Sequence, residues 1–168
     1  MAQEFIFGVA QVKFATGAGT PEEIGYIESD SFDLGGASGE TVEVNAAQVK
    51  GSPVLVIPKK NGSIKPKFEL IQINYNKLAA LMGGTISGTQ QAPTGWNAPS
   101  DLVRINGHLQ VVTDSGHLLD IPNGLVSAYP GDKINMSGVA KVYCEVTPMM
   151  PAGGGSPYSI SDYEEAEA

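Results

Sequence analysis

Cysteine is nearly absent. Cys144 is the only one in 168 residues, so no disulfide can close within the chain, which fits a reducing compartment. Imidazole is scarce too, with His108 and His117 alone. Basic residues number 10 against 18 acidic ones, a formal net charge of −8. A chain so charged repels a phosphate backbone, which excludes ordinary nucleic-acid binding. No apolar run reaches membrane-spanning length, and the start MAQEFIFGVAQ has no basic region followed by an apolar block. The expectation is a soluble protein made in a cytoplasm, without membrane association.

What the chain does have is glycine, 21 in all, with 42% hydrophobic and only 17% charged residues. That balance favours strands and tight turns over long solvated helices. FIFGVAQVKF is dense in strand formers, and a second strand is expected over residues 24–34. TVEVN places Val42 and Val44 on one side, the pattern of a half-buried strand. The apolar run at residues 54–57 leads through Lys59 and Lys60 to Asn61-Gly62, a two-residue turn signal. The expectation is a hairpin returning through Phe68 and Leu70, with a bulge near Leu70 where the alternation slips. Pro66 puts that returning strand at an edge or gives it an irregular section. Turn signals at Asn106-Gly107, residues 114–116, Asn123-Gly124 and Pro130-Gly131 mark a meander. The last long strand is expected over residues 134–147, central in its sheet, with Ile134, Met136, Val142, Cys144 and Val146 on one side.

One stretch breaks the strand pattern. NYNKLAALMGGT carries an N-cap, Asn74, a stripe of Leu78, Leu81 and Met82, and a terminating Gly83. A helix of about 75–82 is too short to persist alone, so its stripe must dock on the sheet. The fold class expected is mainly β, a β-barrel or two packed antiparallel sheets with this one flanking helix. The β domain is expected to span residues 1–147, with a long unpatterned loop at 86–101. Residues 148–168, ending DYEEAEA, are expected to form a flexible acidic tail. The loop holds the only tryptophan, Trp96, with Pro93 and Pro99. An indole there either touches something outside the domain or folds back on it.

Catalytic groupings are thin. GGASGE lacks nucleophile-elbow spacing, and ATGAGT is followed neither by a clear helix nor by a P-loop lysine. His108 and His117 sit in the similar phrases NGHLQ and SGHLL, with only Cys144, Asp114 and Asp120 to complete a metal site. Turn-adjacent surface histidines are the expected state, with Cys144 buried and inert. No enzyme activity, catalytic residue, metal or cofactor is expected. Lys59, Lys60, Lys65 and Lys67 form a basic cluster, read as a solvated edge or as a partner for an acidic surface on a neighbouring copy.

The order of these features resembles the major tail tube proteins of long-tailed, siphovirus-type bacteriophages. The likeness rests on EFIFGVAQVKF near the start, then TPEEIGYIESDSFDLG, a hairpin with a basic tip, and a closing meander. Its most specific piece is FELIQINYNKLAALMGGT, a strand running into a short helix that ends in Gly-Gly-Thr. The resemblance implies a virion protein, made in the bacterial host cytoplasm, that forms homohexameric rings stacked into a tail tube for DNA ejection. Implied partners are further copies of itself, with tape-measure and tail-terminator proteins, and DNA that passes without specific binding. Candidate inter-subunit contacts are Lys59, Lys60, Pro93, Trp96 and Pro99. Glu28, Asp30, Glu43 and Glu69 are candidates for an acidic lumen, each equally an ordinary solvated charge. The alternatives are a β-sandwich glycan-binding module of a phage fibre or baseplate, using Trp96, or the inner tube of a contractile injection device.

Overall fold

The computed structural model describes residues 4–165. In chain order its elements are β1 (Gln11–Thr16), β2 (Glu22–Glu23), β3 (Glu40–Val44), β4 (Leu55–Lys60) and β5 (Lys67–Leu70), then the helix α1 (Tyr75–Met82). The second half comprises β6 (Thr85–Gly88), β7 (Pro93–Asn97), β8 (Ile105–Val112), β9 (His117–Gly131), β10 (Lys141–Pro148) and β11 (Ser159–Asp162). The protein is mainly β, with antiparallel sheets and, among the described residues, one short helix.

The main sheet has the order β2-β1-β8-β9-β10-β5, with β11 added to β9. β9 is long enough to serve two neighbours on one side. Its residues 124–131 pair with β10 and its residues 117–120 pair with β11. Cross-strand register places the apolar residues on one face: Val12 opposite Val111, Phe14 opposite Leu109, Leu109 opposite Ile121, Val142 opposite Leu70 and Cys144 opposite Phe68. Directly opposed residues share a face, so these pairs build one continuous apolar layer. α1 covers it with Leu78 and Leu81, both buried, and with the partly buried Met82.

The helix is delimited as its residues dictate. Asn74 is extended and its side chain accepts the N–H of Asn76. Gly83 has φ 75°, a conformation that strains any residue with a Cβ, and its N–H donates to Ala79 O. A Cβ at Gly83 would also stand 2.9 Å from Val103 Cγ1.

The sheet does not close into a barrel. Between β2 and β5 runs irregular chain, joined to β5 by isolated bridges at Ile27–Leu70 and Asp33–Lys67. The strand expected over residues 24–34 is therefore only these bridges. Ile71 and Gln72 N–H both reach Tyr26 O, at 3.0 and 3.4 Å. Two donors on one acceptor is the bulge pattern, and it falls just past the end of β5.

Four more sequence expectations are corrected. Asn61-Gly62 does not turn the chain back, because β4 pairs with β3. The bridges Ala37–Ser63 and Asp33–Lys67 continue that pairing, so residues 55–70 lie along residues 27–44 as one irregular ribbon growing from the sheet margin. Residues 86–101 are not an unpatterned loop: β6 and β7 form a hairpin that packs on α1. Nor is the C-terminal part wholly loose, since β11 pairs with β9; Ala166, Glu167 and Ala168 lie outside the described residues. β10 is interior as expected, but it begins only at Lys141, and Ile134 and Met136 stand in solvent.

Truncating Leu81 leaves a cavity beneath the helix, so Leu81→Ala is expected to cost about 2–5 kcal/mol. Asn74→Ala removes the cap at about 1 kcal/mol. Urea unfolding followed by Trp96 emission measures both, and an unchanged midpoint for Leu81→Ala contradicts this account of the core.

Candidate functional site

The exposed feature with the least internal support is the β3–β4 arm. Its strands touch each other and no other named element. Register puts Val42 opposite Ile57 and Val44 opposite Leu55, so four apolar side chains share one face. The alternation of TVEV suits a half-buried strand, but nothing among the described residues covers it. Val42 is 47% exposed and Ile57 45%, against 1% for Val12 in the core. An isolated two-stranded hairpin is marginal in water. Each arm strand also has an outer edge without a pairing partner among the described residues. Such edges are where another chain adds strands. Lys59 and Lys60 end this arm at its base and are exposed, with no ion-pair partner among the described residues. Lys65 and Lys67 are separated from them in role, since both reach the Glu145 carboxylate, at 3.1 and 3.5 Å.

A second feature is a cleft of about 560 Å³ beside the apolar layer. Ile6, Phe7 and Val9 from the N-terminal segment, with Ile27, Phe32 and Leu34 from the irregular chain, form much of its wall.

The four acidic candidates are not equivalent. Glu28 and Glu69 converge on Lys141, at 3.8 and 3.2 Å, and Asp132 joins them at 3.6 Å. The Glu69 hydrogen bond, together with the charges of Glu28 and Asp132, raises the Lys141 ammonium above its ordinary value. One ammonium offsets only one of these three carboxylates, so the group stays negative in sum. Asp30, in a turn with φ 59°, and Glu43, on the arm, are exposed.

Trp96 folds back on its own domain. Its indole N–H donates to Gly83 O at 2.8 Å, and the ring is half-buried against the core. Pro93 and Pro99 are half-buried nearby. The only tryptophan therefore locks the β6–β7 hairpin to the helix C-terminus. Cys144 is buried, and burial pushes its thiol up to about 12, so it stays protonated and unreactive.

The histidines depart most from expectation. His108 pairs with Asp120 on the polar face of the sheet. His117 is no surface residue: at 6% exposure it lies in line with Leu119 and Ile121, with Glu4 and Asp162 at its Nε2. Periodicity in the strand put an imidazole on the buried side, and that signal was present in HLLDI. Of the three groups the sequence offered to complete a metal site, Asp120 pairs with His108, while Asp114 and Cys144 bond to neither histidine.

Compared with known proteins, the chain matches no family model and no curated protein.

Glu145 supplies a pH test. The hydrogen bond from Lys65, with Lys67 adding, holds its carboxyl below the ordinary 4.5. A group lowered in the folded state contributes stability above its unfolded pKa and loses it as pH falls through the folded one. Wild type should therefore lose stability between about pH 5 and pH 3 more steeply than Glu145→Gln. Parallel urea midpoints for the two across that range contradict the pairing.

Proposed function

We propose that this protein is a self-assembling structural subunit of a bacteriophage tail tube, building stacked hexameric rings that conduct DNA. The observation that carries the reading is the arm: an apolar β-ribbon extends from the sheet margin with no cover from the described residues of its own chain. Burying apolar surface is favourable by roughly 25 cal/mol per Å², and exposed patches of this kind mark association. A repeating contact between an arm and a different surface of the next copy is heterologous, so it propagates into rings or stacks rather than closing as a dimer. The feature order described above, with its strand running into a capped helix and Gly-Gly-Thr, supplies the tail-tube identity.

The net charge of −8 suits a conduit, because an anionic wall leaves duplex DNA mobile. In this reading the repulsion comes from the whole charge balance, including exposed groups such as Asp30 and Glu43. Tape-measure and tail-terminator proteins are the partners at the inside and the end of such a tube, and the virion tail is the location. The inner tube of a contractile device is a close relative of this reading, set apart by whether a sheath surrounds it. Trp96, bound to Gly83 O, does not favour a glycan-binding module.

Concentrated pure protein is expected to form tubes or ring stacks in negative-stain electron microscopy. Val42→Asp with Ile57→Asp places charge on the arm's apolar face, outside the core. The double variant should keep its unfolding midpoint and remain a monomer by sedimentation. Wild type that stays monomeric at every concentration and salt, or a double variant that assembles normally, overturns the reading.

A further inference from the structure

His117 lies where the two ends of the described chain meet. Asp162, at the end of β11, is directly opposite His117 in the ladder, and Tyr163 N–H donates to Gly116 O. From the other end, Phe7 N–H donates to Ser115 Oγ and Ser115 N–H to Phe7 O. Gly8 allows that close passage: its φ is +71°, and a Cβ there would stand 2.1 Å from Asp114 Oδ2. Glu4 Oε2 thereby reaches to 3.1 Å from His117 Nε2, and Asp162 Oδ1 to 4.0 Å.

The tautomer of His117 follows from counting protons. His117 N–H donates to Thr113 Oγ1, and the Thr113 hydroxyl donates to His117 O. With its proton spent there, Thr113 Oγ1 can only accept from Ser115 Oγ, 2.9 Å away. Ser115 Oγ has then used its own proton, so its 2.8 Å contact with His117 Nδ1 requires Nδ1 to donate. This assignment makes every contact among Thr113, Ser115 and His117 a hydrogen bond. Nε2, 3.1 Å from Glu4 Oε2, then either donates to Glu4 as part of an imidazolium or turns its lone pair toward Glu4 and Asp162.

Two carboxylates at Nε2 call for a cation there, either a second ring proton or a metal ion. We infer that Glu4, His117 and Asp162 form a zinc-binding site that fastens both ends of the chain to the start of β9. The ligand atoms lie within 4.8 Å of one another. Tetrahedral zinc with ordinary bond lengths holds its ligand atoms about 3.4 Å apart, so small rotations of two exposed carboxylates complete the set. One nitrogen and two carboxylate oxygens leave a fourth position to water, and Ser115 provides the outer hydrogen bond that fixes a ligating imidazole. The buried ring is the rigid member and the two carboxylates are the closing ones. The site does not depend on the tail-tube reading.

Isothermal titration of the full chain with zinc chloride at neutral pH is expected to show one ion per chain. Cobalt is expected to give the visible absorption of a low-symmetry site. Glu4→Gln and Asp162→Asn change exposed side chains, so both variants should fold, and each should weaken zinc at least about tenfold. His108→Asn, which removes the other His–carboxylate pair, should leave uptake unchanged. No saturable uptake, or uptake indifferent to Glu4→Gln and Asp162→Asn, overturns the site. So does a 15N spectrum in which both nitrogens of His117 carry protons in the presence of zinc, since the cation would then be the proton itself.

Discussion

A sheet that buries one face needs cover over all of it, and in this protein a helix of two turns shares that work with the irregular chain after β2. Leu78 and Leu81 close over the part of the layer formed by β1, β8 and β9, while Phe32 stacks on Phe68 of β5, and the cap residues decide where the helix begins and ends. The β6–β7 hairpin holds the helix in place through the Trp96–Gly83 hydrogen bond. With the core completed so economically, the arm, the cleft and the charged face owe it little, and they are free to serve outside relations.

The polar face follows a different logic. Instead of scattered solvated charges it carries matched groups: Lys141 among Glu28, Glu69 and Asp132, Glu145 between Lys65 and Lys67, and His108 against Asp120. Exposed pairs of this kind contribute little to stability singly.

Local signals were legible in the sequence wherever the cause was local. Asn74 and Gly83 bracket the helix because capping needs only neighbouring residues, and the alternation through Val142, Cys144 and Val146 gave the inward side of β10. Pairing was harder to read. Asn61-Gly62 has the chemistry of a hairpin turn, but residues 33–44 compete for the same edge and straighten it into the ribbon. Val42 and Val44 announced an apolar side, while nothing in five residues can say whether a chain possesses anything to cover it. The hairpin at β6–β7 and the strand β11 were missed for a related reason: glycine- and serine-rich segments carry weak propensity, and long-range partners settle their conformation. His117 was misjudged because adjacency to a turn was weighed above its place in the strand's period.

The burial of Cys144 has a practical consequence. With its sole thiol protonated and buried in the core, the native protein is silent toward maleimides and iodoacetamides. A cysteine introduced at an arm position such as Thr41 would be the single reactive handle on each copy, so a fluorophore or spin label could be carried there without first removing the native residue.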